Sequence, residues 1–214
     1  MTGEKNKEQS AKSPSPFALC ALAVLAALVV HAGGLFNGFV NLDDYTYITS
    51  LTELSTRGVL RLFTAWFEGY QPLSLLTLSL SHRLFPFNAA VHHLGNLLFH
   101  LANTLLVFML VRRLFKSDVA AFFTAVLFGV HPVNVEAVAW IASRKDVQYA
   151  FFYLAGLLSY VGFVERPSLL RGTGVLALYV LYLGSKGMAV SFPLSALTVD
   201  FMLGRGMLNR RVWL

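Results

Sequence analysis

The hydrophobic positions of the chain fall into long runs that are separated by short polar stretches. Runs of this kind are typical of helices that cross a bilayer, because about 20 apolar helical residues span the hydrocarbon core. The pattern predicts an all-α, polytopic membrane helical bundle over residues 17–204. About six spans are expected, at residues 17–36, 89–111, 119–131, 147–164, 173–185 and 188–203.

Composition also favours a membrane protein. Of the 214 residues, 56% are hydrophobic and 13% are charged, whereas soluble domains carry about 25% charged residues. The net charge is +6, but the Lys and Arg residues lie in short clusters between apolar runs. That distribution indicates membrane topology and argues against a nucleic-acid partner. The single cysteine, Cys20, excludes an internal disulfide and a cysteine-based metal site.

The positive charges set the expected orientation in the membrane. Residues 1–16 are polar and basic, which predicts a disordered cytoplasmic tail. The first apolar run is either a cleaved signal peptide ending near Gly33 or a retained span, and we favour the span because the run continues to Phe36. The positive-inside rule then places eleven Lys and Arg residues in the cytoplasm and six outside. Residues 205–214 form the cytoplasmic end.

The long mixed stretch at residues 37–88 is predicted to form the first outer loop. Apolar residues within 51–63 roughly follow helical spacing, which indicates an amphipathic helix on the membrane surface. The apolar segment 71–80 is too short to cross and is expected to be an interfacial or re-entrant helix that begins at Pro72. Counting it as a span would place the basic cluster after the second span outside, against the positive-inside rule.

Two adjacent carboxylates, Asp43 and Asp44, follow the first apolar run. Charged side chains are costly in hydrocarbon, so the pair is predicted to lie at the membrane–water boundary. At that depth it can meet water, a metal ion and a lipid-borne phosphate. The structural alternative is a helix N-cap, in which an aspartate accepts backbone N–H groups of the following segment.

Acidic and basic side chains collect on the predicted outer face. Carboxylates can hold a divalent cation or take a proton from a hydroxyl, and Lys and Arg can hold a phosphate. The combination predicts a site for a phosphate-linked donor that the membrane delivers. Structural alternatives are a turn at His131, a solvated Glu136 and an interfacial anchor at 143–146. The outer-face residues are Asp43, Asp44, Glu68, His131, Glu136, Arg144, Lys145, Asp146 and Lys186.

Five motifs occur in a fixed order: Asp43–Asp44, Tyr70–Ser74, His93–His100, His131–Val138 with Ser143–Asp146, and Ser185–Lys186. Together they resemble the membrane half of the transmembrane, tetratricopeptide-repeat O-mannosyltransferases and their bacterial relatives. These enzymes belong to the GT-C glycosyltransferase superfamily. The resemblance covers roughly residues 35–205 and is strongest over 131–146, where sequence and spacing both match.

The resemblance implies a membrane glycosyltransferase that moves a sugar from a polyprenyl-phosphate-linked donor to a hydroxyl acceptor, expected on a polypeptide. It assigns the general base to Asp43 or Asp44. It gives Glu136, with His131, a role in supporting the acceptor or a metal, and leaves a divalent cation, Mg or Mn, open as a cofactor. The candidates for holding the donor phosphate are Arg144, Lys145 and Lys186.

Two features depart from the family pattern. Gly187 follows Ser185–Lys186, where animal members carry an acidic residue, and this difference weakens a metal-binding role for the segment. No 34-residue tetratricopeptide period follows the last predicted span. The alternatives are a fragment of a longer enzyme, a truncated gene product and a minimal relative, and a longer homologue is expected to add spans and repeats.

Two other function classes suit a polytopic helical protein. A transporter would relay ions through intramembrane histidines and Asp200, but charge concentrated at one face argues against it. A non-catalytic scaffold would leave the outer carboxylates dispensable. The expected location is a bacterial inner membrane with the active face in the periplasm, or the endoplasmic reticulum membrane in a eukaryote.

Overall fold

The computed structural model describes residues 14–40, 43–44, 47, 59–64, 69–187 and 191–205. Every regular element within those residues is helical, which confirms the predicted all-α class. The α-helices are α1 Pro16–His31, α2 Pro72–Leu84, α3 Ala89–Phe115, α4 Asp118–Val130, α5 Asn134–Ala139, α6 Arg144–Glu165, α7 Leu169–Ser185 and α8 Ser191–Met202. Short 3₁₀ turns cover Ala32–Phe36, Val59–Phe63 and Ile141–Ser143.

Three helical segments of the described chain are long and apolar enough to cross a membrane: Pro16–Phe36, Ala89–Phe115 and Ile141–Glu165. Two further apolar helices are shorter, since α4 has 13 residues and α7 has 17. At 1.5 Å per residue, α4 extends about 20 Å, less than the roughly 30 Å of the hydrocarbon core. The count of six spans therefore stays a prediction.

Several sequence predictions fall outside the described residues. They concern the polar tail at 1–13, most of the surface helix predicted within 51–63, Glu68, and the chain after Arg205. The predicted interfacial segment at 71–80 is described, and it forms α2, which begins at Pro72 as expected.

Four helices begin at a residue whose side chain accepts a backbone N–H from the first turn. The first N–H groups of a helix have no partner within the helix, so such a cap removes an unsatisfied donor. Pro16 follows one of these caps, where its missing N–H costs nothing. The capping pairs are Ser15 with Ala18, Asn88 with Val91, Ser117 with Ala120, and Ser168 with Arg171.

The helices α3 and α6 run in the same direction. Arg144 at the start of α6 bonds Asn96 near the start of α3, whereas Glu165 at the end of α6 pairs with Arg113 near the end of α3. The shorter α4 and α7 run back between these two levels. We call the level of Asp44, Asn96 and Arg144 the Asp44 end, and the level of Arg113 and Glu165 the Arg113 end.

Small residues line the contact between α1, α3 and α4. Lipid tails are as apolar as core side chains, so helices in a bilayer gain stability mainly from close packing, which small residues permit. A Cβ atom added to Gly129 would lie 3.0 Å from the Cβ of Ala27 and 3.1 Å from the side chain of Thr104. Four alanines in this contact are fully buried: Ala23, Ala27, Ala121 and Ala125.

Two buried histidines bind one carbonyl at the end of α4. The Nε2 atoms of His31 and His100 lie 3.1 and 2.9 Å from the carbonyl oxygen of Gly129. The last carbonyls of a helix lack partners within the helix, so these two hydrogen bonds satisfy a group that would otherwise be unpaired in an apolar setting. They also join α1 and α3 to α4. His100 thus makes the interhelical bond that is the common use of a histidine in a span.

A second apolar cluster joins α3, α6, α7 and α8. Tyr182 is fully buried there, and its hydroxyl donates to the Tyr149 hydroxyl at 2.8 Å. Phe192 of α8 packs against Gly156 of α6, where a Cβ would approach the ring to 2.7 Å. The cluster members are Leu110, Leu157, Val161, Tyr182, Phe192 and Val199.

We predict that Gly129→Val destabilises the bundle by about 1–3 kcal/mol, the usual cost of overpacking. The added side chain must push α4 away from Ala27 and Thr104. Thermal unfolding of the purified protein in detergent measures the effect. Gly174→Val on α7 is the matched control, because nothing lies within 4 Å of its added Cβ. Equal melting temperatures for the two variants would contradict the close α1–α3–α4 packing.

Candidate functional site

The Asp44 end is where distant parts of the chain meet. The start of α3, the start of α6, the end of α7 and the segment after α1 all contribute side chains to it. Contacts between these elements bring together four residues that the sequence predicted for the site. They are Asp44, Arg144, Lys145 and Lys186.

Asp44 is fully buried, with no exposed surface. Its Oδ2 accepts the backbone N–H of Val40 at 2.9 Å, and its Oδ1 accepts that of Ala142 at 3.1 Å. One carboxylate therefore ties the segment after α1 to the 3₁₀ turn before α6. Hydrogen bonds from a neutral donor to a charged acceptor are roughly twice as strong as neutral ones, so this contact fixes the position of the segment.

Asp43 has a different environment from its neighbour. Its side chain is half-buried, and within the described residues its carboxylate has no hydrogen-bond partner. Its backbone carbonyl accepts the N–H of Tyr47 at 2.8 Å, which closes one helical turn. The two adjacent aspartates, which the sequence did not distinguish, therefore have different environments. Asp44 binds two backbone N–H groups, whereas the carboxylate oxygens of Asp43 remain available to accept a hydrogen bond or a proton.

Lys145 lies beside the ring of Tyr47. Its Nζ donates to the Tyr47 hydroxyl at 3.2 Å and stands 5.5 Å from the ring centroid. The same hydroxyl accepts a hydrogen bond of 2.9 Å from Nε2 of Gln71. Lys145 remains partly exposed, so the ammonium group is held in position without being enclosed.

Lys186 forms an ion pair with Asp146 that joins the end of α7 to the first turn of α6. Both side chains are about one third exposed, so water or a ligand can reach them. A buried set of hydrogen bonds below the pair fixes the two helix ends. In it Ser74 donates to the Ser185 carbonyl at 2.9 Å, and Thr77 donates to Gln148 at 2.7 Å.

Arg144 lies inside the bundle, with 2% of its surface exposed. Its Nε donates to Oδ1 of Asn96 at 2.5 Å, and its Nη2 donates to the His92 carbonyl at 2.7 Å. Gly95 leaves the space for the guanidinium, since a Cβ there would lie 2.3 Å from Nη2. These contacts give Arg144 a role in joining α3 to α6. Direct contact with a phosphate stays a prediction for this residue.

His92 is a further buried group at this level. In the described structure neither of its ring nitrogens has a hydrogen-bond partner, and no part of the residue is exposed. Its ring lies 6.3 Å from that of His82 and 6.2 Å from that of Phe39, between centroids. Buried polar groups are nearly always bonded, so His92 is an exception among the buried residues at this level.

The remaining predicted site residues lie at the protein surface. His131 is exposed, and its Nδ1 accepts the backbone N–H of Val133 at 3.2 Å, which is the turn that the sequence offered as an alternative. Glu136 is exposed in the first turn of α5. No contact between described residues joins either side chain to Asp43 or Asp44, and their predicted support of the acceptor stays a prediction.

The described part of the chain does not offer a set of side chains suited to a metal ion. No group of three or more His, Cys, Asp or Glu residues there is arranged to hold one. Asp44, the most buried carboxylate of the site, has both oxygens committed to backbone N–H groups. We therefore derive no catalytic step through a metal.

Three cations and two helix N-termini lie at this level, together with the carboxylates of Asp43, Asp44 and Asp146. The positive ends of the α3 and α6 dipoles lie at this level, and the first turn of α6 also carries Arg144 and Lys145. Lys186 adds a third cation, and Asp146 is its described ion-pair partner. Oriented N-termini with converging cations attract phosphate groups.

Sequence reasoning missed three residues that build the site: Tyr47, Asn96 and Gln148. A signal existed for two of them, because Asn96 and Gln148 are polar residues within apolar helices, and such residues are costly in lipid unless they have a partner. Both are fully buried in the structure. Tyr47 gave no such signal, since interfacial tyrosines are common in membrane proteins.

Comparison with known proteins identifies the family of the chain. Residues 71–214 match the family described as Dolichyl-phosphate-mannose-protein mannosyltransferase. The chain belongs to this family. The match includes α2, α3, α6 and α7, and thus the cations and buried polar residues of the Asp44 end. The match begins after Asp43 and Asp44, so it gives no information about their roles. No solved structure matches the chain.

The chain is also similar to individual proteins that are named as transferases. The chain is 33% identical to Protein O-mannosyl-transferase TMTC3 of Mus musculus over 151 residues, which are 65% of this chain and 16% of that protein. It is 33% identical to TMTC1 of Homo sapiens over 160 residues (68% and 18%) and to Tmtc1 of Drosophila melanogaster over 176 residues (76% and 20%). The chain thus spans about a fifth or less of the length of these relatives.

We predict that Gly95→Ala lowers the free energy of unfolding by about 1–3 kcal/mol, the cost of leaving buried polar groups unpaired. The new Cβ must displace the Arg144 guanidinium from Asn96 and from the His92 carbonyl. Chemical or thermal unfolding in detergent measures the change. Gly184→Ala is the matched control, because its Cβ would make an ordinary contact of 3.6 Å with Leu73. A Gly95→Ala variant as stable as this control would contradict the role of Arg144.

Proposed function

We propose that the protein transfers a mannosyl residue from a polyprenyl-phosphate carrier to a hydroxyl group of a polypeptide. The family description names a dolichyl-phosphate-mannose donor and a protein acceptor, and the named relatives are protein O-mannosyl-transferases. The site has the two chemical parts that this transfer needs. They are a carboxylate, predicted to lie at the bilayer boundary, and, on the adjoining helix ends, cations that are partly exposed.

The observation that carries the proposal is the difference between Asp43 and Asp44. A general base must reach the proton it removes and needs an oxygen that is free to accept it. Both oxygens of Asp44 are held by backbone N–H groups, whereas the carboxylate of Asp43 is half-buried and has no partner within the described residues. We assign the base to Asp43 and the positioning of the catalytic segment to Asp44.

The donor phosphate is proposed to lie between Lys145 and Lys186. Both ammonium groups are partly exposed at the level of Asp43, and each is held by a neighbour, Tyr47 or Asp146. Arg144 contributes positive potential from inside the bundle while it holds α3 and α6 together. Groups that are fixed before the reaction stabilise developing charge without reorganising when it forms.

The proposed reaction is a displacement at the anomeric carbon of the donor sugar. Asp43 takes the proton of the acceptor hydroxyl as the hydroxyl oxygen forms its bond to that carbon. The bond between the anomeric carbon and the phosphate oxygen breaks, and its electron pair leaves with the polyprenyl phosphate. Lys145 and Lys186 stabilise the charge that grows on the departing phosphate. The products are a glycosylated polypeptide and the carrier phosphate, with the proton on Asp43.

We place the site on the periplasmic face of a bacterial inner membrane, or on the lumenal face in a eukaryote. The positive-inside rule supports this placement. The Arg113 end and its adjoining turns gather a cluster of basic residues, and the direction of α3 and α6 puts that cluster opposite Asp44. The residues are Arg112, Arg113, Lys116, Arg166 and Arg171.

We predict that Asp43→Asn lowers the transfer rate by at least 100-fold and leaves the melting temperature within about 1 °C of wild type. General-base catalysis is typically worth about 10²–10⁴ in rate, and the side chain holds no described structural contact. The measurement is incorporation of radiolabelled mannose from polyprenyl-phosphate mannose into an acceptor peptide, with unfolding followed in parallel.

Asp44→Asn is the matched comparison, because the amide keeps one oxygen but loses the charge and one of the two acceptors. We expect it to lower both the transfer rate and the melting temperature, since a buried backbone N–H loses its partner. If Asp43→Asn keeps wild-type transfer while Asp44→Asn abolishes it at full stability, the two assignments are reversed. Full activity of both variants would exclude the mechanism.

We predict that Lys186→Gln raises the KM for the polyprenyl-phosphate donor by about 10-fold or more, because a charge-assisted contact with phosphate contributes roughly 1.5–3 kcal/mol. The KM for the acceptor peptide should change little. Arg83→Gln is a control that removes one exposed positive charge from α2. An unchanged donor KM for Lys186→Gln would place the phosphate elsewhere.

A further inference from the structure

A groove opens at the Arg113 end, far from Asp43. It has a volume of about 630 Å³ and lies between the end of α3, the start of α4 and the end of α6. A second cavity of about 340 Å³ adjoins it, and Arg113 and Leu158 border both. The mechanism proposed above uses neither space.

The face of α3 that lines this groove changes from apolar to cationic along the helix. Met109, Arg112 and Lys116 are spaced so that they share one face of the helix, as residues three, four and seven apart do. Met109 is 44% exposed and lies within the apolar part of the span, whereas Lys116 follows the last helical residue. The groove thus joins hydrocarbon depth to headgroup depth.

The cations of the groove outnumber its carboxylates. Arg113 pairs with Glu165 at 2.5 Å and Arg112 with Asp118 at 2.6 Å, and all four side chains are between 37% and 50% exposed. Exposed ion pairs contribute little to stability, so an incoming anion can share these cations at little cost. Lys116 is exposed and adds a positive charge beyond the two pairs, and Arg171 adds another from the adjoining cavity.

We propose that this groove binds an anionic phospholipid of the surrounding bilayer. The phosphate lies among Arg112, Arg113 and Lys116, and an acyl chain runs along Met109 and Leu158 towards the membrane centre. Basic pockets between transmembrane helices are suited to such headgroups. A lipid fits better than a soluble phosphate because the groove continues from its cationic mouth into an apolar wall. The proposal does not depend on the transferase activity.

The test is lipid retention by the purified full chain. Protein extracted in a neutral detergent is titrated with phosphatidylglycerol or phosphatidylcholine, and bound lipid is counted by native mass spectrometry. We expect wild type to retain one phosphatidylglycerol with at least 10-fold preference over phosphatidylcholine. The double substitution Arg113→Gln with Lys116→Gln should remove that preference. Arg83→Gln removes one exposed charge from α2 and should retain it.

The single variant Lys116→Gln guards against a folding effect, because this side chain makes no ion pair among the described residues. Its preference should fall at an unchanged melting temperature. Equal preference in wild type and both groove variants would overturn the proposal. So would full competition by glycerol 3-phosphate at the same concentration as the lipid, because that result would show a soluble phosphate site. No competition by glycerol 3-phosphate supports the lipid.

Discussion

The Asp44 end depends on the guanidinium group of Arg144, which is enclosed between α3 and α6. Arg144 is always charged, and a charge buried without partners would cost several kcal/mol. Asn96 and the His92 carbonyl meet that need, and Gly95 provides the room. Because both partners and Gly95 belong to the first two turns of α3, the contact fixes α3 and α6 in register along their length.

That register determines where the chemistry can occur. Once α6 begins level with α3, the next two residues, Lys145 and Asp146, face Tyr47 and Lys186. Asp44 then reaches the backbone of Ala142 just before α6. Each of these polar groups is thus placed by a contact with another polar group of the site. Such a network is rigid when complete and loses several contacts together when one member is removed.

The sequence allowed the membrane class and the gathering of charge at one end to be predicted, because both follow from long apolar runs and from charges that lipid excludes. It could not separate Asp43 from Asp44, since the difference lies in two backbone N–H groups, one of them nearly a hundred residues away. It also grouped Arg144 with Lys145 and Lys186 as phosphate ligands. The burial of Arg144, its bonds to Asn96 and the His92 carbonyl, and the space at Gly95 show that it points into the bundle, and local sequence spacing does not reveal these contacts.

The bond between Asp44 and Ala142 has a consequence for how the protein is made. The two residues are 98 positions apart, and chains are synthesised at about 5–20 residues per second. Asp44 is therefore synthesised roughly 5–20 seconds before Ala142, and α2, α3, α4 and α5 are made in between. Throughout that interval the Asp44 carboxylate lacks the N–H group of Ala142 as a partner. Assembly of the site is thus a late event in biogenesis, because it needs the start of α6 and also Lys186 at the end of α7.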